Sequence, residues 1–203
     1  MKLVDKAKKG GIELYFAGDN IMAGWEEFSK ANWDKNFAGW KPGNFGLNGE
    51  RTQNILYRIE DGELDGVNPK VIVLMAGGSN IQPGAPDSAV QDIAKGVRAC
   101  IDAMHKKAPN AKFVLLAITP RNTKEFSDTA RKINAEIAKF ADDKEITIKF
   151  VDVGDKLADK DPNKNGALQQ KLTRDGAMLS DDGFQLVADA MKPILTEWLG
   201  SPK

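Results

Sequence analysis

Two residue types on which many functional sites depend are nearly missing from this sequence. Its 203 residues include one cysteine, Cys100, and one histidine, His105. A single cysteine excludes an intrachain disulfide framework, and together with a single histidine it makes a zinc site a poor prospect. Neither CxxC nor HExxH spacing occurs. We therefore expect no bound metal and no cofactor.

The sequence also lacks an excess of charge of either sign and any long apolar run. Its 29 basic and 29 acidic side chains cancel, whereas nucleic-acid-binding domains usually carry a basic excess. No apolar run reaches the roughly 20 residues that a membrane-spanning helix needs, and the first residues form no signal-peptide core. We expect no nucleic-acid partner, no membrane span, and a single globular domain over residues 1–203.

Short apolar runs alternate with longer stretches of helical periodicity. Val71–Met75 is apolar throughout and follows Asn68-Pro69, as is typical of a buried parallel strand. Such runs predict five strands: Ile12–Phe16, Asn44–Leu47, Val71–Met75, Phe113–Ile118 and Ile146–Val151.

Four stretches between and after these runs have apolar residues at steps of three and four, which predicts amphipathic helices. They are Thr52–Glu60, Asp87–Lys107, Glu125–Asp142 and Asp182–Leu199. The alternation predicts an α/β fold with three layers, a doubly wound, flavodoxin-like parallel sheet of about five strands. One long irregular segment is expected at Ala158–Lys171.

Polar, glycine-rich loops follow the first three predicted strands, and a fourth such loop precedes the last helix. They are Gly18–Ile21, Asn48–Thr52, Gly77–Asn80 and Thr173–Phe184. Because ligand sites of doubly wound sheets lie at the carboxyl ends of the strands, these loops predict one pocket.

The order and content of the four loops resemble the SGNH, or GDSL-type, hydrolase family from about Gly11 to Leu199. The resemblance is closest to the branch of platelet-activating-factor acetylhydrolase-like proteins and bacterial acetyl-sugar esterases. It is carried by Phe16–Trp25 (FAGDNIMAGW), Asn44–Gln53 (NFGLNGERTQ), Asn68–Ile81 and Thr173–Phe184. The resemblance implies a serine ester hydrolase.

The catalytic positions that the resemblance implies hold different chemical groups here. Asn20 stands where the family has its nucleophilic serine, and Met178 where it has the general-base histidine. An amide has no hydroxyl to deprotonate, and a thioether does not exchange protons near neutral pH. Ser79 replaces the oxyanion-hole asparagine, while Gly49 and Asp175 are retained. We therefore expect no intact catalytic set and no detectable ester hydrolysis by the usual route.

Residues around the predicted pocket are candidates for ligand binding. Arg51 and Arg174 flank it, although a solvated or ion-paired arginine is the preferred interpretation of each. Trp25 is expected to pack in the core, His105 to lie on a helix surface, and Cys100 to be a small buried residue. The predicted binding residues are Asp19, Asn20, Gly49, Arg51, Ser79, Asn80, Arg174 and Asp175.

The sequence is consistent with three functions. The first is a catalytically inactive family member that binds an ester or an acetylated or plain carbohydrate. The second is an ester hydrolase of unconventional arrangement, with Ser79 or a water activated by Asp175. The third is a structural or interaction module, favoured if Met178 and other apolar side chains fill the pocket.

The origin of these differences and the cellular location are also open. Three changes at chemically distinct positions fit natural divergence at least as well as deliberate mutation. Related bacterial proteins commonly carry an export signal just upstream, which favours a secreted or periplasmic protein; without such a signal a cytoplasmic one is expected. The sequence predicts no oligomeric state.

Overall fold

A five-stranded parallel sheet forms the middle layer of the molecule. The computed structural model describes residues 3–161 and 166–202. The strands are β1 (Leu14–Gly18), β2 (Pro42–Gly46), β3 (Val71–Met75), β4 (Lys112–Leu116) and β5 (Ile148–Val151). All neighbours are parallel, in the order β2-β1-β3-β4-β5. The predicted doubly wound, flavodoxin-like α/β fold is confirmed.

Helices cover both faces of the sheet. They are α1 (Leu3–Lys8), α2 (Asn20–Glu27), α3 (Lys30–Phe37), α4 (Thr52–Arg58), α5 (Ser88–Lys107), α6 (Lys124–Ala138), α7 (Gly154–Leu157) and α8 (Asp181–Leu199). A π-helical turn, Ile59–Glu63, extends α4, and 3-10 turns form at Ala38–Trp40, Gly78–Asn80, Lys139–Asp142 and Gln170–Leu172. Among the described residues, no helix combines the length and the apolar character that crossing a membrane requires.

The central strands β1 and β3 are buried on two sides because their alternate side chains enter different apolar layers. In β1, Tyr15 and Ala17 join the layer beneath α4, α5 and α6. Leu14 and Phe16 join the layer beneath α2, α3 and α8. Burial on both sides explains why these two strand sequences are apolar runs rather than alternating ones.

The predicted boundaries differ from the observed ones mainly around short helices. The sequence pattern does not predict α1, α2 or α3, which are six, eight and eight residues long. Helices this short give too few turns for a recognisable apolar period. In the predicted irregular segment, residues 162–165 lie outside the described residues, and the rest includes an antiparallel bridge between Ala158 and Leu168.

Candidate functional site

Two glycines let α2 begin directly at the carboxyl edge of the sheet. Gly18 has a φ of 149°, and a Cβ atom there would lie 2.1 Å from the carbonyl oxygen of Met75. A Cβ atom on Gly46 would lie 2.5 Å from the backbone nitrogen of Ala23. Only glycine fits such close approaches of backbone to backbone. The first turn of α2 therefore sits against the ends of β2 and β3.

The side chain of Asn20 joins the first loop to the second. Its Oδ1 accepts a hydrogen bond from the backbone N–H of Gly49 at 2.7 Å. Gly49 has a φ of 76°, a left-handed conformation that turns its N–H toward α2. The N–H that the family resemblance assigns to an oxyanion hole thus already has an acceptor, the side chain of Asn20.

Asp19 joins the first loop to the third from a buried position. Its side chain is 3% exposed and caps α2 by accepting from the N–H of Ile21 at 3.2 Å. A Cβ atom on Gly78 would lie 2.8 Å from Asp19 Oδ2, so the third loop packs directly on this carboxyl group. Burial raises the pKa of Asp19 to about 6.

The third loop is tied to the second through Asn80. Its Oδ1 accepts from the backbone N–H of Thr52 at 2.9 Å, and its Nδ2 donates to Gln53 Oε1 at 2.9 Å. These bonds satisfy an N–H group at the start of α4 that the helix itself leaves unpaired. Ser79 is partly exposed, and its hydroxyl bonds to none of the described residues. Asn80 therefore positions the loops, while Ser79 faces outward.

The Asp175 carboxylate is engaged within its own turn. Its Oδ1 accepts from the backbone N–H groups of Met178 at 2.7 Å and Ala177 at 2.9 Å. These two bonds stabilise the charged form and lower the pKa of Asp175. The side chain is exposed, and it borders a cavity of about 380 Å³ that is also lined by Asn122, Thr173 and Arg174.

Met178, which the sequence resemblance matches to a histidine, points into the apolar layer on the α2 and α8 side. It is 7% exposed. A Cβ atom on Gly24 would lie 2.7 Å from Met178 Sδ and 2.8 Å from Phe184 Cζ. The rings of Trp25 and Phe184 pack with their centroids 4.6 Å apart, which agrees with the packing role expected for Trp25. The thioether thus fills core space behind the loops.

Three arginines lie in the loops at this edge of the sheet, and two of them were predicted from the sequence. Arg51 and Arg174 are exposed, and the Arg174 guanidinium lies 5.2 Å from the centre of the Phe28 ring. The third, Arg121, follows β4, and its guanidinium lies 4.1 Å from the centre of the Phe126 ring. Arg121 lies five residues after the end of β4, a position that could have identified it as a candidate site residue. Its loop was passed over because it lacks the glycines of the four predicted loops.

His105 and Cys100 lie away from these loops. His105 is near the carboxyl end of α5, which leads toward the amino end of β4 and hence the opposite edge of the sheet. It is partly exposed on this helix, and its buried Nδ1 has no hydrogen-bond partner in the described ranges. Cys100 is buried as expected, and burial raises the pKa of its thiol to about 12. In the described part of the chain, no three His, Cys, Asp or Glu side chains are arranged to hold a metal.

A flavodoxin-like sheet with these loops at its carboxyl edge defines an SGNH-type hydrolase fold. Residues 16–186 match the GDSL-like Lipase/Acylhydrolase family. The chain belongs to that family and is esterase- or acetylhydrolase-like in sequence and fold.

Similar proteins agree with this assignment. Platelet-activating factor acetylhydrolase IB subunit beta homolog of Drosophila melanogaster is 32% identical over 136 residues, 67% of this chain and 56% of that protein. The IB subunit alpha2 of Homo sapiens is 28% identical over 125 residues, 62% and 51% of the two chains. The matched segment thus spans about half of each relative. A member of the lipolytic protein G-D-S-L family from Veillonella parvula has the same fold, with a TM-score of 0.70 at 18% identity, covering 92% of this chain and 99% of that one.

Proposed function

We propose that this chain binds a small-molecule ligand, such as an ester or a carbohydrate, at the strand-end loops without hydrolysing it by the family's serine mechanism. The observation that carries this proposal is the 2.7 Å hydrogen bond from the Gly49 N–H to Asn20 Oδ1. An oxyanion hole works through donors aimed at the oxygen that becomes charged in the transition state. A Gly49 N–H that donates to Asn20 is not available for that oxygen.

The chemical groups at the other catalytic positions support the same proposal. The amide of Asn20 is a poor nucleophile, and the side chain of Met178 packs against Gly24 in the apolar layer. In a serine protease, loss of the nucleophile or the base alone lowers kcat by about a millionfold. Both groups differ here, so we expect no turnover above the buffer rate.

The hydrolase with an unconventional arrangement has weaker support. It requires Asp175 to take a proton from Ser79 or from a water molecule. The hydrogen bonds from Ala177 and Met178 lower the pKa of Asp175, which makes its carboxylate a weaker base. These bonds favour a role for Asp175 in shaping the fourth loop.

The structural or interaction module is the second candidate, and the packing of Met178 favours it. A buried thioether beside Gly24 and Phe184 stabilises the fold and contributes nothing to a polar site. Titration with acetylated and deacetylated xylo-oligosaccharides distinguishes the two candidates. Heat or chemical-shift changes in the four loops support ligand binding, and a complete lack of response supports the module.

Hydrolysis of p-nitrophenyl acetate tests the loss of the serine mechanism. We expect the native chain to match its Asn20→Ala variant, which controls for hydrolysis by surface groups. The triple variant Asn20→Ser, Ser79→Asn, Met178→His restores a hydroxyl, an oxyanion donor and a base, and we expect it to gain activity that Asp175→Ala then abolishes. Turnover by the native chain that Asn20→Ala or Asp175→Ala removes would refute the proposal.

A further inference from the structure

The six arginines of the chain divide into two groups by their surroundings. Three form ion pairs with carboxylates: Arg58, Arg98 and Arg131. The other three form no ion pair with any described residue: Arg51, Arg121 and Arg174. This second group lies entirely in the loops at the carboxyl edge of the sheet. The arginines that form no ion pair with a described residue are therefore all at the candidate site.

Arg121 is the best anchored of the three. Its backbone N–H donates to Ser127 Oγ at 3.2 Å, and its carbonyl oxygen accepts from the N–H of Leu168 at 3.0 Å. Its guanidinium lies over the Phe126 ring at 4.1 Å, a favourable cation–π arrangement. A side chain that is already held in place loses less conformational entropy when a ligand binds.

The guanidinium of Arg121 also reaches the middle of the site. A Cβ atom on Gly78 would lie 3.9 Å from Arg121 Nη2, next to the partly exposed Ser79. Asp19 is buried below the same point and makes no ion pair with Arg121, but the two side chains attract each other. Burial raises the pKa of Asp19, and Arg121 lowers it by a smaller amount. Within the described residues, the N–H groups of this guanidinium donate no hydrogen bond. Its charge is therefore available to a ligand that enters beside Ser79.

We infer that the ligand of this site carries an anionic group, a carboxylate or a phosphate, that binds the Arg121 guanidinium beside the Ser79 hydroxyl. The planar guanidinium donates two parallel hydrogen bonds to either group. Arg51 and Arg174 add attraction from the flanks. The exposed Asp175 carboxylate, which stays charged because its own turn donates to it, offsets part of the attraction from Arg174, so Arg121 carries the inference. The inference rests on the proposed function, since it names the ligand of the same loops.

Nuclear magnetic resonance of the full chain, including arginine Nε–H signals, tests this inference. The probes are glucuronate, glucose 6-phosphate and neutral glucose, at pH 7 and constant ionic strength. We expect the anionic probes to shift the Arg121 Nε–H signal and the amides of residues 77–80. We also expect them to bind at least about tenfold more tightly than glucose, as one charge-assisted hydrogen bond allows. The ratio of the two anionic affinities distinguishes carboxylate from phosphate.

Two variants with the same change of charge make the test specific. We expect Arg121→Gln to lower the affinity for the anionic probes about tenfold, and Arg98→Gln, which removes a paired arginine on α5, to leave it unchanged. Circular dichroism checks that both variants fold. Equal binding of charged and neutral probes, no binding of any probe, or an unaffected Arg121→Gln variant would overturn the inference. Ester turnover by the native chain, by contrast, would refute only the proposed function.

Discussion

The proposed function depends on the hydrogen bond that Asn20 in the first loop accepts from the Gly49 N–H in the second. We predict that Asn20→Ala lowers the free energy of unfolding by about 1 kcal/mol, since it removes the acceptor of the Gly49 N–H. The Gly49 amide should also exchange faster with solvent. Chemical denaturation and hydrogen exchange measure the two effects. Asn48→Ala is the matched control, because its amide bonds to an exposed Glu27 carboxylate; an equal loss in both variants would contradict the prediction.

Asp19 makes the free energy of unfolding depend on pH in a direction that can be predicted. Its pKa rises from 3.8 to about 6 in the folded protein, chiefly through burial. Between these values the folded state retains a proton that the unfolded chain releases, so the contribution of Asp19 to stability falls as the pH rises through this range. We predict that Asp19→Asn, which keeps a capping oxygen, removes this loss.

The measurement is the free energy of unfolding of both proteins at several pH values from 4 to 7. Their difference should change in favour of Asp19→Asn by roughly 2–3 kcal/mol between pH 4 and pH 7. Other carboxyl groups, such as Asp175, titrate alike in both proteins and cancel. Parallel curves would show that Asp19 titrates near its ordinary pKa in the folded state.

The connection between β1, the second loop and α4 depends on a buried ionic cluster. Arg58 pairs with Glu50 and Glu63 and donates to the carbonyl oxygen of Phe45 at 3.0 Å, and Tyr15 donates to Glu63 at 2.8 Å. Although burial lowers the pKa of Arg58, the two carboxylates keep it above its ordinary value. The cluster fixes the loop that carries Gly49.

We predict that Arg58→Met lowers the free energy of unfolding by about 3–5 kcal/mol, because it leaves two buried carboxylates without a counter-charge. Arg131→Met removes an exposed pair on α6 and should change it by less than about 1 kcal/mol. Denaturant titration measures both. Adding Glu50→Gln and Glu63→Gln to Arg58→Met should recover part of the loss; no recovery would assign the effect to lost packing.

The sequence predicts some of the strands and helices well and others not at all. The strand β3 was predicted to the residue, since Val71–Met75 is apolar throughout and buried on both sides. The helix α2 was missed, because its apolar residues are nearly continuous around Gly24 and show no helical period. The helix α3 was missed for the opposite reason, since Trp33 and Phe37 are its only buried apolar residues.

For the molecule as a whole, the predicted parallel sheet placed the four loops at one edge. The hydrogen bonds that Asn20 accepts from Gly49 and Asn80 accepts from Thr52 show that the first three loops meet there. The directions of the side chains could not be predicted. Met178 turns inward because Gly24 leaves room for it, and Asp175 turns back to its own backbone. Both side-chain directions depend on three-dimensional contacts that the local sequence pattern does not predict.

The grouping of the arginines likewise depends on how distant segments of the chain come together. Equal numbers of acidic and basic side chains give a net charge of zero, so composition alone suggests no anionic partner. Ion pairs neutralise Arg58, Arg98 and Arg131 within the fold. Folding therefore groups the three arginines without ion pairs in these loops, beside the carboxyl groups of Asp19 and Asp175, and a sum over the sequence does not show this grouping.

The close packing of Met178 against Gly24 has an evolutionary consequence under the proposed function. A serine at position 20 alone would lack a base, and a histidine at position 178 alone would displace a packed thioether with no serine to activate, while Asn20 still occupied the Gly49 amide. We therefore expect neither single change to produce ester hydrolysis. A return to the serine mechanism would need changes at both positions together.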